Sequence, residues 1–410
     1  MLRHKKILLF DLSDSTFINR VIYSLKSIGI KNLYLLGISN NAARFCPRLR
    51  KKYLLNTLPT EHSVLIKLLQ KHQIDILLPI DEKATKFVIT HPELRRYTGG
   101  LIFPDTATYT ILEDKFLLDD YLGKNGFNHV HSRLLNMTAI PGDIHFPVII
   151  KPRNLSGGMH IHIIQSISTL ERLVSQLQQT GIEFILQDFI DGEDIDASFL
   201  CQHGKINAIT IQRSFLGKFQ NALGVDKGVE ICRDDKVSLE IHKWVETLQL
   251  SGLFHIGMRR ERHTGKLYII DVNMRFWNSV LASHTANVNF AELACRMALK
   301  ETITPRNYIP VKYISDLYIH RFVVYKFLFR HRDIPFQIAL PTLRFVVEEF
   351  PAIAIDRLIR KFKRTFNLAL FRKSETSFCN KKSWNSYLNP FKAVPQAITW
   401  SKTVFNDFSW

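Results

Sequence analysis

Polar side chains follow the apolar stretch Tyr268-Ile-Ile270 at alternate positions. Asp271 and Asn273 are two residues apart, so in a β-strand their side chains lie on the same face. A carboxylate oxygen beside an amide oxygen suits a hard cation such as Mg²⁺, which also contacts phosphates. Arg275 continues the spacing and can hold a phosphate or a carboxylate with two hydrogen bonds. The alternative interpretation is the polar end of an ordinary strand.

A second group of residues could grip a phosphate. Lys151 ends the apolar stretch Val148-Ile-Ile150 and is followed by the turn Ser156-Gly157-Gly158. Glycines let backbone N–H groups approach an anion closely, and the lysine supplies a positive charge. A simple hairpin turn would have the same composition, so this pattern alone does not decide between the two.

Acidic residues are concentrated between Gln187 and Asp196, where five carboxylates occur in a basic chain. Acids can accept hydrogen bonds from ribose hydroxyls, and an exposed strand edge can pair with an adenine. An ordinary acidic turn is the alternative. Glu193 and Asp194, after the turn at Gly192, are the candidates for a ribose contact.

Alternating strands and helices precede these groups. The alternation predicts a parallel sheet with crossover helices in residues 1 to about 105. The first turn, from Asp11 to Thr16, lacks a glycine-rich fingerprint and does not support a dinucleotide site. The predicted strands are 6–10, 32–38, 74–80 and 101–104, and the predicted helices are 16–28, 63–72 and 84–89.

The following region mixes helices with paired strands, which indicates an α+β domain. Turns at His203-Gly204 and Thr264-Gly265 predict two antiparallel pairs, 197–201 with 206–212 and 254–258 with 266–272. The other predicted strands are 148–150, 161–164 and 184–189, and the predicted helices are 114–121, 170–179, 237–250 and 290–299.

Composition limits the function classes. The 410-residue chain has five scattered cysteines, which suits reduced thiols, and no run of eighteen uncharged apolar residues, which disfavours a membrane-spanning helix. The apolar start Ile7-Leu-Leu-Phe10 is interrupted by Asp11 and Asp14, so it predicts a strand and not a signal peptide. The expected location is the cytoplasm.

These motifs, in this order, resemble the ATP-grasp superfamily, in its carbamoyl-phosphate-synthase-like and carboxylate–amine ligase-like branches. The resemblance covers about residues 1–305 and includes Asp75-Ile-Leu-Leu-Pro-Ile-Asp81. It implies a Rossmann-like α/β pre-ATP-grasp domain at 1–111 and an α+β ATP-grasp domain at 112–305 with a flap subdomain at about 125–185. A basic, mainly helical C-terminal extension would follow at 306–410.

The resemblance implies ATP with Mg²⁺ or Mn²⁺ as cofactors, and an activity that activates a carboxylate as an acylphosphate for attack by an amine or similar nucleophile. Arg275 would steady the phosphate, and Asp271 and Asn273 would bind the metal. Glu193 or Asp194 would meet the ribose. The remaining nucleotide contacts would come from Lys115, Lys151, Ser156, Gly157, Gly158, Gln187, Asp188, Phe189 and Ile190.

The chain departs from the family signature Glu-x-Asn-Pro-Arg-Phe-Trp at two positions, since Asp271 replaces the glutamate and Met274 the proline. An upstream acidic or Gln metal ligand is expected near Gly257, where no carboxylate lies; Glu261 is the nearest acid. One of two metal sites is therefore expected to be reduced or rebuilt. A nucleotide-binding protein without ligase turnover stays open as the alternative.

The C-terminal quarter carries much of the net charge of +18. From Arg306 to Trp410 there are 18 Lys and Arg against 7 Asp and Glu. Residues 355–366 have apolar residues at helical spacing surrounded by basic ones, which predicts a basic amphipathic helix. Such a helix can pack as a cap on the preceding domain or bind an anionic membrane at its inner face. Nucleic acid is the least favoured partner, because no recognised binding motif occurs.

Overall fold

The computed structural model describes residues 2–13, 17–56, 58–59, 62–137, 140, 142–155, 160–219, 222–304, 307–327 and 333–349. The chain divides into two compact units. Of the described residues, the first unit comprises those within Met1–His129, Ile190–Lys218 and Asp226–Ile353, and the second comprises those within Val130–Phe189 and Phe219–Val225.

The first unit begins with the predicted parallel sheet, in the order β3-β2-β1-β4. Its central strands are buried on both faces, which explains their unbroken apolar sequences. The elements are β1 (Ile7–Asp11), α1 (Phe17–Ser27), β2 (Leu33–Ile38), β3 (Lys51–Leu55), α2 (Ser63–His72), β4 (Ile76–Pro79), α3 (Glu82–Thr90) and α4 (Arg95–Thr98).

The fourth strand of this sheet differs from the prediction. Residues 101–104 form no strand, and β3 occupies the sheet edge instead. The backbone N–H of Gly100 donates to Ala298 O at 3.0 Å, so the chain here contacts the end of the helix Phe290–Ala298 and does not join the sheet. A Cβ at Gly99 would lie 1.9 Å from that same carbonyl oxygen, so only glycine permits this approach.

Two helices then lead out of this part of the unit. They are α5 (Thr106–Glu113) and α6 (Lys115–Lys124), and each begins at an aspartate N-cap. Asp105 accepts hydrogen bonds from the backbone N–H groups of Ala107 and Thr108, and Asp114 caps α6 in the same way. The caps fix where each helix starts and therefore where its first side chains lie.

The second unit contains a four-stranded antiparallel sheet, ordered β5-β8-β6-β7. Its elements are β5 (Ser132–Leu134), β6 (Val148–Pro152), β7 (His162–Ile164), α7 (Ile167–Leu177) and β8 (Phe184–Asp188). Leu170, Val174 and Leu177 of α7 form an apolar cluster with residues of the sheet, among them Ile150 and Phe184. The predicted 3.6-residue spacing of this helix is thus confirmed by the face it buries.

The chain then returns to the first unit and forms a six-stranded antiparallel sheet, ordered β15-β14-β9-β10-β13-β16. Both predicted antiparallel pairs are confirmed in it. The elements are β9 (Gly192–Gln202), β10 (Lys205–Ser214), β13 (Gly228–Cys232), α8 (Asp235–Thr247), β14 (Gly252–Glu261), β15 (Leu267–Asn273), α9 (Val280–Thr285), α10 (Phe290–Ala298), β16 (Val311–Ile314) and α11 (Ile319–Phe327). Between β10 and β13, β11 (Lys218–Phe219) and β12 (Ala222–Asp226) form a separate two-stranded sheet.

The two faces of the six-stranded sheet have opposite character. One face is apolar and packs on α8, where Trp244 contacts Phe199 and Phe254 through ring pairs at 6.3 and 6.2 Å. The opposite face carries most of the polar side chains of β9, β14 and β15. Burial of the first face stabilises the sheet. The opposite face is partly apolar, because Leu200 and Leu253 pack in a different cluster, and it also carries Asp271 and Asn273.

The sequence predicts a basic, mainly helical region at 306–410. Within the described residues, this region also supplies the strand β16, which pairs with β13 and completes the six-stranded sheet. Residues 340–349 are helical, and Phe345 contacts the Tyr23 ring of α1 at 5.2 Å. The amphipathic helix predicted at 355–366 lies outside the described residues.

Short 3-10 turns complete the inventory, at Leu2–His4, Pro92–Leu94, Gln178–Thr180 and Phe336–Ala339. Within the described residues, every helix is too short or too polar to traverse a lipid bilayer.

Candidate active site

The end of β15 presents two oxygen-bearing side chains on one face, as the sequence predicts. Asn273 Nδ2 donates to Asp271 Oδ2 at 2.8 Å. A bulge beside Gly257 interrupts the pairing of β14 with β15, and as a result both Ile269 and Val272 lie in the apolar core. Asp271 and Asn273 therefore lie on the opposite, polar face of the sheet.

Lys115 opens α6 and contacts the carboxylate at the end of β15. Asp114 Oδ1 accepts from the backbone N–H groups of Phe116 and Leu117 at 2.9 and 3.2 Å, which fixes the start of the helix. Lys115 Nζ lies 3.3 Å from Asp271 Oδ1. Two predicted site residues that are far apart in the sequence are thus in contact.

Arg275 extends this group in a second direction. Its Nη2 donates to Asn273 Oδ1 and its Nη1 to Phe276 O, both at 2.8 Å. Its Nε lies 3.0 Å from Glu82 Oε1, and the guanidinium lies 5.3 Å from the Phe17 ring centroid. The arginine is therefore held in place on several sides.

Glu82 is a polar neighbour that the sequence prediction does not include. It opens α3 directly after the parallel strand β4, behind the N-cap Asp81, which accepts from Ala84 N at 2.6 Å. Ligand sites of α/β sheets lie at the carboxyl ends of parallel strands. A carboxylate immediately after such a strand was the signal that could have identified it.

A row of facing residues crosses the sheet next to this group. Gln212 pairs with Asp196, Asp196 with Gly257, and Gly257 with Asp271. Gln212 Nε2 donates to Asp196 Oδ2 at 3.0 Å. Burial, followed by the charge of Asp226, raises the pKa of Asp196 to about 7. Asp196 is a second residue that the sequence prediction does not assign to the site.

The two acids predicted to meet a ribose lie on different faces of β9. Asp194 accepts from Lys218 Nζ at 2.5 Å and from Arg259 Nη1 at 2.6 Å. Burial acts to raise the pKa of Asp194, but the two cations outweigh it and the pKa is lowered. Glu193 contacts Arg260 Nη1 at 3.1 Å, and its side chain is 53% exposed. Asp194 shares a face with Asp196, whereas Glu193 does not.

A partly buried histidine lies on the same face, in the adjacent row of paired residues. His255 faces Asn273 on the neighbouring strand, and its Nδ1 is 2.9 Å from Ser198 Oγ. Its ring stacks on Trp277, with centroids 5.3 Å apart. Burial, and then the charge of Arg275, lowers the pKa of His255 to about 3. The imidazole is therefore neutral near pH 7 and supports the site through packing.

In the second unit, Lys151 and Gln187 lie on the paired strands β6 and β8. Lys151 is buried on β6 and faces Ile185. Gln187 is also buried, and its Nε2 donates to Ser132 Oγ of β5 at 2.8 Å. The order of the sheet places β8 between two neighbours, so Gln187 is not at an exposed strand edge.

The expected exposed edge therefore begins after Gln187. The pairing of β5 with β8 ends at that residue, and the side chain of Asp188 is exposed. Phe189 follows the end of β8, and the carbonyl of Ile190 in the first unit accepts from Arg259 Nε at 2.7 Å. The predicted turn Ser156, Gly157 and Gly158 lies outside the described residues.

A family model described as ATP-grasp domain matches residues 112–279. That range includes Lys115 at its start and ends directly after the segment from Asp271 to Asn278. The chain carries an ATP-grasp domain. The remaining predicted nucleotide contacts, from Lys151 to Asp194, also lie within the ATP-grasp match.

A curated protein of another organism is similar to part of this chain. An uncharacterized protein of Mycoplasma genitalium is 26% identical over 173 residues, which is 42% of this chain and 53% of that protein. The chain thus matches about half the length of this curated relative.

Solved structures share the fold. An L-amino acid ligase from Bacillus licheniformis has a TM-score of 0.56 at 18% identity, covering 72% of this chain and 74% of the ligase. The N5-carboxyaminoimidazole synthetase from Staphylococcus aureus, complexed with ADP, has a TM-score of 0.59 at 12% identity, covering 79% of this chain and 88% of the synthetase. At these identities the likeness establishes the ATP-grasp fold with its preceding α/β sheet.

Proposed function

We propose that the chain is an ATP-dependent carboxylate ligase, which activates a small carboxylate as an acylphosphate for attack by an amine or similar nucleophile. One observation carries the proposal. Continuous polar contacts run from Lys115 through Asp271 and Asn273 to Arg275, within an ATP-grasp domain. The related L-amino acid ligase and N5-carboxyaminoimidazole synthetase are similar in fold and support this reaction class.

The chemistry of the donor set fits Mg²⁺ or Mn²⁺. Asp271 and Asn273 provide a carboxylate and an amide oxygen on one face of β15, and hard divalent cations select such oxygens. In this proposal Lys115 and Arg275 neutralise phosphate charge. ATP, when bound, supplies the phosphoryl group that activates the carboxylate.

The resemblance supports further nucleotide contacts. Lys151 and the residues Ser156, Gly157 and Gly158 are proposed to meet phosphates, and the backbone of Gln187, Asp188, Phe189 and Ile190 is proposed to meet the adenine. Asp194 is preferred to Glu193 for the ribose side, because it lies on the same face as Asp196 and Asp271. Catalysis in such a site depends on positioning and charge neutralisation.

The test is ATP-dependent release of ADP and phosphate with panels of carboxylates and amines. We expect turnover with at least one pair of substrates, and loss of most of it in Lys115→Ala. Lys124→Ala is the matched control, because Lys124 ends the same helix and its side chain is 71% exposed. Equal loss in both variants, or turnover unchanged in Lys115→Ala, would contradict the proposed role.

Nucleotide binding without turnover is the second candidate. Gly257 favours it, because this position in β14 offers no carboxylate beside Asp271. Calorimetric titration with Mg-ATP tests nucleotide binding, and the ADP-release assay distinguishes the two functions. Binding that is accompanied by no ADP release with any substrate pair would support the second candidate.

The basic C-terminal region is proposed as a contact for an anionic membrane surface. The excess of Lys and Arg beyond residue 350 supports it. Flotation with vesicles of phosphatidylserine and phosphatidylcholine should carry the full chain but not a chain ending at Glu349. Equal flotation of both, or of neither, would refute this contact.

A further inference from the structure

Gly257 occupies the position where the ATP-grasp resemblance leads us to expect a metal-binding side chain. It lies between two carboxylates in the row across the sheet, because it pairs with Asp196 on one side and with Asp271 on the other. Residues paired in this way point to the same face. The missing side chain at Gly257 thus leaves a space flanked by Asp196 and Asp271.

Distances from the position of a Cβ on Gly257 show which side chains border this space. A Cβ placed on Gly257 would lie 3.7 Å from Asp196 Oδ1 and 3.7 Å from Asp271 Cβ. The Gly257 backbone does not adopt a positive φ, so its conformation does not require glycine. The glycine therefore provides room, and an oxygen of Asp196 lies at the border of that room.

Asp196 is oriented by its neighbours. Its Oδ2 accepts from Gln212 Nε2 at 3.0 Å, and Gln212 Oε1 accepts from Ser279 Oγ at 2.8 Å. Within the part of the chain that the structure describes, Asp196 Oδ1 has no hydrogen-bond partner. The carboxylate is thus fixed through one oxygen while the other borders the space at Gly257.

We propose that Asp196 replaces the carboxylate missing at Gly257 and supplies the third protein oxygen of a divalent cation site, together with Asp271 and Asn273. The metal ligand has moved from β14 to the neighbouring strand β9, and glycine at 257 makes this possible. The inference rests on the proposed function, since the cation would accompany the nucleotide.

The arrangement leaves lone pairs for a cation. Asn273 uses its Nδ2 on Asp271, and its Oδ1 accepts one hydrogen bond from Arg275. An amide oxygen has two lone pairs, so a second is available in this geometry. A divalent cation would also offset the negative charges of the two carboxylates, because a bound cation is the largest local charge in such a site.

The test measures Mn²⁺ binding by electron paramagnetic resonance, using the full chain with saturating ADP. We expect Asp196→Asn to weaken Mn²⁺ binding by about ten-fold or more, while ADP binding in EDTA stays unchanged. The double variant Asp196→Asn with Gly257→Asp moves the carboxylate to the expected strand and should restore most of the affinity.

Two variants separate this effect from a general loss of charge. Glu230→Gln removes a carboxylate from the opposite face of the same sheet, where Glu230 pairs with Arg213, and should change the Mn²⁺ affinity by less than about two-fold. Asp226→Asn removes an acid whose charge acts on Asp196. A loss in Asp226→Asn that exceeds the loss in Asp196→Asn would overturn the assignment.

The outcomes also separate the inference from the proposed function. Unchanged Mn²⁺ affinity in Asp196→Asn, with ADP and Mn²⁺ both bound by the wild type, overturns the role of Asp196 alone. Failure of the wild type to bind ADP or ATP under any metal condition overturns the proposed function. A double variant that binds no better than Asp196→Asn would refute the relocation of the ligand from position 257.

Discussion

The guanidinium of Arg275, two residues after the end of β15, and the carboxylate of Glu82 on α3 form an ion pair of 3.0 Å. The pair connects the N-terminal parallel sheet with the polar face of the ATP-grasp domain inside the first unit. Asn273 and the carbonyl of Phe276 hold the other two nitrogens of the guanidinium. The arginine is therefore oriented before any ligand arrives.

Arg275→Lys should lower kcat for ADP release by about 100-fold or more, because a lysine ammonium cannot satisfy the same three partners or hold a phosphate with two bonds. The free energy of unfolding of Arg275→Lys should change much less than the activation free energy does. Arg262→Lys serves as the control, since Arg262 makes a similar pair with Asp191 on the exposed surface. Similar activity losses in both variants would contradict a specific role for Arg275.

Asp114→Ala should destabilise the protein by about 1 kcal/mol and also weaken ATP binding, because the cap fixes the turn that carries Lys115. Asp105→Ala removes the equivalent cap of α5 and is the matched control. We expect similar losses in urea unfolding for both variants and a weaker affinity for ATP only in Asp114→Ala. Equal ATP affinities would show that the cap does not position Lys115.

Arg20→Ala should destabilise the first unit by about 3–5 kcal/mol, because it leaves a carboxylate without its cation in a largely buried setting. Arg20 Nε and Nη2 each contact Asp316 at 2.9 Å, and Nη1 contacts Asn278 at 3.2 Å. Urea unfolding measures the loss. The exposed Arg50→Ala is the control and should cost less than about 0.5 kcal/mol.

Cys46 should resist alkylation in the folded protein. Burial, and then the charge of Glu349, raises the pKa of this thiol to about 11. The pKa of Cys46 in the folded protein lies above 9.0, the value for the unfolded chain. The contribution of this thiol to the free energy of unfolding is therefore complete below pH 9 and is lost as the pH rises towards 11. Peptide mass spectrometry after iodoacetamide treatment at pH 8.5 should detect slower labelling of Cys46 than of the partly exposed Cys232.

Phe345→Ala should increase the alkylation rate of Cys46, because it loosens the helix at 340–349 that carries Glu349. The exposed Val347→Ala on the same helix is the control and should leave the rate unchanged. Rapid labelling of Cys46 in the wild type at pH 8.5 would contradict this packing.

Local patterns predicted most of the secondary structure, because apolar residues recur at a regular spacing that differs between strands and helices. The spacing of Asp271 and Asn273 likewise predicted their common face. Strict alternation would also place Ile269 on that face, but the bulge in β15 returns Ile269 to the core. A bulge depends on the partner strand, so the sequence of one strand does not reveal it.

The contribution of Asp196 was missed for a different reason. Its place beside Asp271 depends on the strand order β15-β14-β9, and strand order is a property of the whole sheet. β3 was missed because its Lys51 and Lys52 give it little apolar character, as is typical of an edge strand. Contacts between residues distant in sequence thus account for most of the differences.

Strand β16 is needed in any shortened form of the chain that is to remain free of an exposed sheet edge. It covers the outer edge of β13, from Gly228 to Ile231, although it lies beyond the segment matched by the family model. A chain ending near residue 304 would leave a row of N–H and C=O groups open to other molecules. Unpaired edges of this kind recruit strands from neighbouring copies, so such a truncated protein would self-associate even with every candidate site residue in place.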